Sequence, residues 1–150
     1  MKPLVIITSA VESRFGIYSP EQRLAMTLET IANVRERMPE VKIVVSEVSG
    51  NGIRKQYEEA IMDASDLMLD FTTNHEVNWI YNNKDWYENW DIVKNLTELS
   101  TFPMALEVVK ESGELKNIDR IFKMSGRYLL NDKFNLDFYD SDPARAKIVI

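Results

Sequence analysis

Two cations and a turn of small residues stand close together near the C-terminal end of the chain. Lys123 lies in a short apolar run, and Ser125, Gly126 and Arg127 follow it closely. Glycine lets a backbone approach a ligand, and the planar guanidinium group of arginine offers a fork of donors that suits phosphate. This pattern favours a small phosphate site, with Lys123 and Arg127 flanking its opening.

The composition describes an acidic globular protein. The chain has 150 residues, of which 45% are hydrophobic and 28% charged, and its formal net charge is -6. We expect a single domain over residues 1–150, large enough for a real hydrophobic core. The negative charge argues against general nucleic-acid binding, which needs a basic face. A small phosphate site needs only a few local cations and is compatible with it.

The sequence carries no sign of secretion or of membrane insertion. It contains no Cys, and no apolar run approaches the roughly 20 residues of a membrane span. The apolar part of the N-terminal segment is too short for a signal peptide. We therefore expect a cytoplasmic protein without a membrane span.

Short apolar runs alternate with segments of helical periodicity. The candidate strands lie near residues 4–8, 41–48, 67–71 and 119–124. The candidate helices lie near residues 20–37, 53–64 and 91–112. This alternation predicts a three-layer α/β fold, in which helices cover both faces of a mostly parallel sheet. Residues 147–150 are a candidate for a last edge strand.

Local signals mark the ends of the helices. Ser19, Pro20 and Gln22 are typical of a helix start, with a capping residue, a proline at the first helical position and a glutamine three residues after the cap. Pro103 should kink or divide the third helix, and Gly113 suits its end.

Ligands of parallel sheets bind beyond the carboxyl ends of the strands, often where the strand order reverses. Four segments would converge at that edge of the predicted sheet. They are residues 8–14, 47–52, 70–74 and 123–128. The sequence therefore predicts that the phosphate site lies at this edge.

The segment KMSGRY at residues 123–128 resembles the K-x-S-G-R-Y segment of certain viral and bacterial nucleotide-sugar glycosyltransferases of the GT-A type. The order of elements over residues 3–134 is similar to the nucleotide-binding half of that family. The resemblance implies binding of a nucleoside-diphosphate sugar and transfer of the sugar to an acceptor that it does not identify. The residues implied to contact the diphosphate or the sugar are Lys123, Ser125, Gly126, Arg127 and Asp132.

The same resemblance implies a nucleotide site after the first two strands. In that family the first loop holds the base and ribose, and an acidic residue at the end of the second strand binds the ribose hydroxyls. The corresponding residues here are Thr8, Ser9, Glu12, Arg14 and Glu47. Hydroxyls and a carboxylate suit a ribose or a uracil edge. The alternatives are a loop that caps itself and the next helix, and a solvated glutamate at the strand end.

Many members of the family bind the diphosphate through a divalent ion held by an Asp-x-Asp motif. Asp140 and Asp142 form the one such pattern in this chain, and carboxylates suit Mn²⁺ or Mg²⁺. They come after the Ser-Gly-Arg turn, however, in a segment that is also typical of turns. We therefore expect diphosphate binding that requires no metal, with Lys123 and Arg127 supplying the positive charge. No catalytic base is assigned.

The aromatic segment at residues 74–90 contains all three tryptophans, Trp79, Trp86 and Trp90. Such rings can stack on the CH faces of a sugar, although we expect at least two of the three to serve packing. Two other functions stay open. One is a non-catalytic interaction protein that uses this segment as a contact surface, and the other is a different α/β enzyme acting on nucleotides or phosphate esters.

Overall fold

A four-stranded sheet forms the centre of the protein in a computed structural model that describes residues 1–83 and 90–140. The strands are β1 (Pro3–Ser9), β2 (Lys42–Glu47), β3 (Leu67–Asp70) and β4 (Arg120–Ser125). The helices are α1 (Pro20–Arg37), α2 (Lys55–Ala64), α3 (His75–Asn82), α4 (Trp90–Glu111) and the short α5 (Asp137–Asp140). The four strands fall where the sequence predicts them.

The strands lie in the order β3-β2-β1-β4, and every pair is parallel. Val5 of β1 stands opposite Ile43 of β2 on one side and Phe122 of β4 on the other. The chain moves outward from β1 to β3 and then returns to the far side of β1 to form β4. The strand order therefore reverses between β1 and β4, which is where α/β sheets commonly bind ligands.

Helices cover both faces of the sheet, as predicted. Val5 and Ile7 of β1 point into a core shared with α1 and α2, which includes the buried Ile31 and Ile61. The intervening residues of β1 point the other way, into a second core. That core contains Leu4, Ile6, Val44, Leu69, Ala105 and Val109. Since alternate strand residues face opposite sides, β1 must be apolar throughout, and this explains its continuous apolar sequence.

Helix α1 begins and ends where its sequence signals predict. The Ser19 hydroxyl accepts a hydrogen bond from the Gln22 amide at 3.2 Å, and the Gln22 side chain accepts one from the Ser19 amide at 2.9 Å. This capping box satisfies two amides that a helix start would otherwise leave unpaired. The helix ends at Arg37, before Pro39.

Helix α3 lies in the aromatic segment at residues 74–90, outside the helices and strands that the sequence predicts. The Asn74 side chain caps it by accepting from the amides of Glu76 and Val77. Val77 and Ile80 pack against Val93 of α4 in a small third core. With only eight residues, α3 offers little periodicity to detect, and Asn74 was its clearest signal.

Of the two effects predicted for Pro103, a division of the third helix is wrong, whereas a kink stays a prediction. Helix α4 runs without a break from Trp90 to Glu111. A proline removes a single intrahelical hydrogen bond, whereas Ala105 and Val109 remain fully buried against the sheet beyond it. Gly113 follows the helix with a positive φ of 80°, which agrees with its predicted place at the helix end.

Among the described residues, no helix is both long and apolar enough to cross a membrane. Three sequence predictions, the edge strand at residues 147–150 and the roles of Trp86 and Asp142, lie outside the described residues.

Candidate functional site

The loops that follow the four strands meet at one edge of the sheet, as predicted. Backbone hydrogen bonds join them, from Gly126 to Thr8 at 2.8 Å, from Val48 to Ser9 at 2.8 Å and from Gly52 to Thr72 at 3.1 Å. These bonds continue the pairing of the strands beyond their ends, so the loops are held at fixed positions relative to one another.

A cavity of about 320 Å³ opens at the carboxyl ends of β1 and β4, where the strand order reverses. Its walls come from the end of β1, the loop at residues 10–18, Val48 after β2, helices α1, α3 and α4, and the turn after β4. Five of the predicted site residues line it, namely Thr8, Ser9, Ser125, Gly126 and Arg127. The structure thus brings together the beginning of the predicted nucleotide loop and the Ser-Gly-Arg turn.

Gly126 permits a close approach within the protein itself. A Cβ atom at this position would lie 2.9 Å from Thr27 Oγ1 and 3.2 Å from the Thr8 carbonyl oxygen. A larger residue would therefore push the turn away from β1 and α1. The glycine keeps the turn close to the end of β1 and fixes the position of its neighbour Arg127.

Arg127 is half-buried in the cavity wall. It forms no hydrogen bond or ion pair with any residue in the described part of the chain. Its five N–H donors are thus available to a ligand that enters the cavity.

Lys123 is arranged differently from Arg127, although both were predicted to bind the diphosphate. Its Nζ atom lies 2.7 Å from Glu98 Oε2 of α4, and it does not line the cavity. Lys123 stands opposite Ile6 in the sheet and so points toward α4. The positive charge of Lys123, which was predicted to bind the diphosphate, is thus compensated by Glu98.

Sequence reasoning missed two cations of the cavity, Arg23 of α1 and Lys94 of α4. Neither forms an ion pair with a carboxylate of the described residues. Lys94 had a signal, because it stands four residues after Trp90 and four before Glu98 and therefore on one face of α4. The sequence gives no comparable signal for Arg23, since only the folded loop brings this residue to the cavity.

Arg23 holds the loop at residues 10–18 in place. Its Nε atom donates to the Tyr18 carbonyl at 3.1 Å, and Nη2 donates to the Phe15 carbonyl at 2.5 Å. Nη1 donates to the Ala10 carbonyl at 3.4 Å. Burial lowers the pKa of the Arg23 side chain, and the nearby charge of Arg127 lowers it further. All three bonds go to neutral carbonyls, so the charge of Arg23 is not compensated by them.

The aromatic wall of the cavity comes from the loop and from α3 and α4. Phe15 stacks on Tyr81, with ring centres 6.1 Å apart, and burial raises the pKa of Tyr81 to about 12. Trp90 lines the cavity and is 42% exposed, whereas Trp79 lies elsewhere and is 54% exposed. The expectation that at least two tryptophans serve packing stays a prediction. Trp90 is the tryptophan that the described residues place at the cavity.

Glu47 is fully buried beneath the loop. Its Oε1 atom accepts from the Val11 amide at 2.9 Å and from the amide and hydroxyl of Ser49. Burial raises the pKa of Glu47, and the hydrogen bonds from Ser49 oppose that shift. The alternative of a solvated glutamate is wrong. Glu47 does not line the cavity, and its role as a ribose ligand stays a prediction.

The other predicted residues do not line the cavity. Glu12 binds Arg54, with Oε1 2.7 Å from Nε and Oε2 2.6 Å from the amide. Arg14 donates to the Tyr81 carbonyl at 2.7 Å and to Asn82. Asp132 is exposed in the segment after the turn. Glu12 and Arg14 therefore connect the loop to Arg54 and to α3, and their role as nucleotide ligands stays a prediction.

The proposed metal motif is only partly described. Asp140 is exposed at the end of α5 and does not line the cavity. Within residues 1–83 and 90–140, no group of three or more His, Asp or Glu side chains is placed to hold a metal ion. The alternative of Mn²⁺ or Mg²⁺ at Asp140 and Asp142 stays a prediction.

Comparison of the chain with protein-family models, curated proteins and solved structures found no significant match. The fold and the site define an α/β protein with a cationic cavity where the order of its parallel strands reverses.

Proposed function

We propose that the chain binds a nucleoside-diphosphate sugar in this cavity and transfers the sugar to an acceptor. The observation that carries the proposal is the charge of the cavity wall. Arg23, Lys94 and Arg127 line it, and the carboxylate of Glu98 is already bound to Lys123. In a chain whose net charge is -6, such a local excess of cations favours a ligand with several negative charges.

The remaining surface of the cavity suits the other parts of such a ligand. Its volume of about 320 Å³ is within the usual range for small-molecule sites. Tyr18 and Trp90 supply aromatic surface for a base or for the CH face of a sugar. The hydroxyls of Thr8 and Ser125 can bond polar edges of the ligand.

Arg127 and Lys94 also fit the chemistry of sugar transfer. When the bond between the sugar and the diphosphate breaks, negative charge develops on the leaving diphosphate. Fixed cations close to that position stabilise the transition state more than the ground state. Lys94 and Arg127 would supply this stabilisation without a divalent ion.

Calorimetry tests the binding step. A panel of nucleoside diphosphates and their sugars is titrated into the protein, first with a chelator and then with Mn²⁺. We expect at least one nucleotide to bind in chelator, and Arg127→Gln to weaken that binding by about 10- to 100-fold, the scale of hydrogen bonds to a charged group. Lys133→Gln removes an exposed cation outside the cavity and is the matched control. A panel without any binding would reject the proposal.

Release of the nucleoside diphosphate tests the transfer step. The protein is incubated with the sugar nucleotide that binds best, with and without candidate hydroxyl acceptors, and free nucleotide is measured. We expect release that depends on an acceptor. Tight binding without release would reject transfer and favour a non-catalytic binding protein.

A further inference from the structure

Two guanidinium groups line the same cavity from different parts of the chain. Arg23 comes from the first turn of α1, and Arg127 comes from the turn after β4. Besides its burial, the positive charge of Arg127 lowers the pKa of Arg23, since like charges in a partly buried cavity repel. An arrangement of this kind favours a ligand that places negative charge between the two groups.

Other cations of this protein show how it stabilises a charge when no ligand is involved. Arg35 lies 3.2 Å from Asp66, and Lys123 lies 2.7 Å from Glu98. Neither Arg23 nor Arg127 has such a carboxylate among residues 1–83 and 90–140. Arg35 and Lys123 are thus neutralised by carboxylates of the protein, whereas the two arginines of the cavity are not.

Arg23 is held in a fixed orientation that leaves donors available. Three of its five N–H groups bond the carbonyls of the loop, so two are not committed to them. The loop is also shaped around this side chain. Gly16 has a φ of 90°, and a Cβ atom there would lie 2.7 Å from Arg23 Nη2. A rigid donor of this kind loses little entropy when it binds an anion.

We propose that Arg23 and Arg127 together bind a phosphate group, and that Arg23 rather than Lys123 is the partner of Arg127. Phosphate oxygens accept hydrogen bonds from two guanidinium forks at once, and each such bond is assisted by charge. The inference rests on the proposed function in one respect, since it takes the phosphate to be part of the diphosphate of that ligand. The anion site itself requires only the two arginines.

Inorganic pyrophosphate is the probe for this site. It is added in chelator to ¹⁵N-labelled protein, and the Nε–H signals of the arginines are recorded. We expect the signals of Arg23 and Arg127 to move together, whereas that of Arg35, bound to Asp66, stays in place. A shift of only one of the two signals, or of neither, would overturn the paired site.

Substitutions give a second, independent measurement. We expect Arg127→Gln to weaken pyrophosphate binding by about 10- to 100-fold and Arg127→Lys, which keeps the charge but loses the fork, by less. Lys133→Gln should leave the affinity unchanged. Arg127→Gln should also leave the melting temperature of the free protein unchanged or raise it, because it removes a repulsion. A lower melting temperature with unchanged pyrophosphate affinity would show a structural arginine and overturn the inference.

The two proposals fail in different ways. Pyrophosphate binding through both arginines, with no additional affinity for any sugar nucleotide, would support this anion site and reject the proposed function. Binding of a sugar nucleotide that is insensitive to Arg127→Gln, with unmoved arginine signals, would reject the anion site alone.

Discussion

The carboxyl-terminal edge of the sheet has two halves, one formed by β2 and β3 and the other by β1 and β4, and their polar groups are arranged differently. At the ends of β2 and β3, side chains and loop amides bond one another. At the ends of β1 and β4, charged side chains line a cavity. Both halves were predicted as ligand sites, because both lie at the carboxyl ends of parallel strands. The difference shows that position at a strand end does not by itself make a residue a ligand.

The half formed by β2 and β3 is closed by its own hydrogen bonds. Glu47 accepts from Val11 and Ser49, and Asp70 accepts from the amide and hydroxyl of Thr72 at 2.8 and 2.5 Å. These bonds stabilise the loops, although Glu47 Oε2 is buried without a hydrogen-bond partner among the described residues. On the β1 and β4 side, by contrast, Arg127 has donors without a partner among the described residues.

The largest expected effect is on stability, at the half formed by β2 and β3, which we call the closed half. Glu47→Ala leaves the buried amides of Val11 and Ser49 without their acceptor, so we expect a loss of roughly 2–4 kcal/mol in the free energy of unfolding. Urea denaturation measures it. Glu29→Ala, the same change at an exposed position of α1, is the control and should stay within about 0.5 kcal/mol. A loss below about 1 kcal/mol at Glu47 would contradict a structural role for this carboxylate.

The next largest expected effect is on stability and affinity at the half formed by β1 and β4. Gly126→Ala places a methyl group 2.9 Å from Thr27 Oγ1 and 3.2 Å from the Thr8 carbonyl, and we expect overpacking of this kind to cost about 1–3 kcal/mol. Because the turn carries Arg127, nucleotide affinity should fall as well. Thermal unfolding and calorimetry on the same variant check both results. A variant of normal affinity would show that the close contact does not position Arg127.

Gly52→Ala gives the matching change at the closed half. Gly52 has a φ of 93°, and a Cβ atom added there would meet no other atom within 4 Å, so the cost comes from backbone strain alone. We expect a loss of about 1 kcal/mol and no change in nucleotide affinity. Reduced affinity in this variant would place a ligand contact on the β2 side and weaken the distinction between the two halves.

The smallest effect is the pH dependence that Glu47 contributes. Its pKa is raised in the folded protein, so its stabilising contribution is complete below the ordinary glutamate value of 4.5 and is lost as the pH rises through the raised value. Glu47→Gln keeps an acceptor oxygen but cannot ionise. We therefore expect the variant to gain stability relative to the natural chain as the pH rises from 4.5. Parallel pH profiles of unfolding for the two proteins would contradict the raised pKa.

Much of the fold follows from local sequence. The β-branched runs of β1 and β2 and the capping box at Ser19 depend on neighbouring residues, and their predicted places are confirmed. The failure at Pro103 has the opposite cause, because burial of α4 on the sheet outweighs a local helix breaker. Local signals are reliable where the tertiary structure does not oppose them.

The site was less predictable because contacts between distant parts of the chain decide which charged side chains are paired within the protein. Lys123 and Arg127 look alike in sequence, yet Glu98 of α4 binds only Lys123. Arg23 reaches the cavity through a loop whose shape the sequence does not reveal. Glu47 looks like a solvated strand end until Val11 is seen to fold over it. Each outcome requires the partner residue, which pattern analysis cannot supply.

Mapping of backbone amide shifts tests the distinction between the two halves most directly. The nucleoside diphosphate that binds best is titrated in chelator into ¹⁵N-labelled protein. The predicted shifts cluster at residues 8–18, 94–98 and 125–128 and at Val48, around the cavity between β1 and β4, and spare residues 49–54 and 70–74. Shifts centred on residues 49–54 and 70–74, or confined to residues 140–150 and dependent on Mn²⁺, would contradict the account.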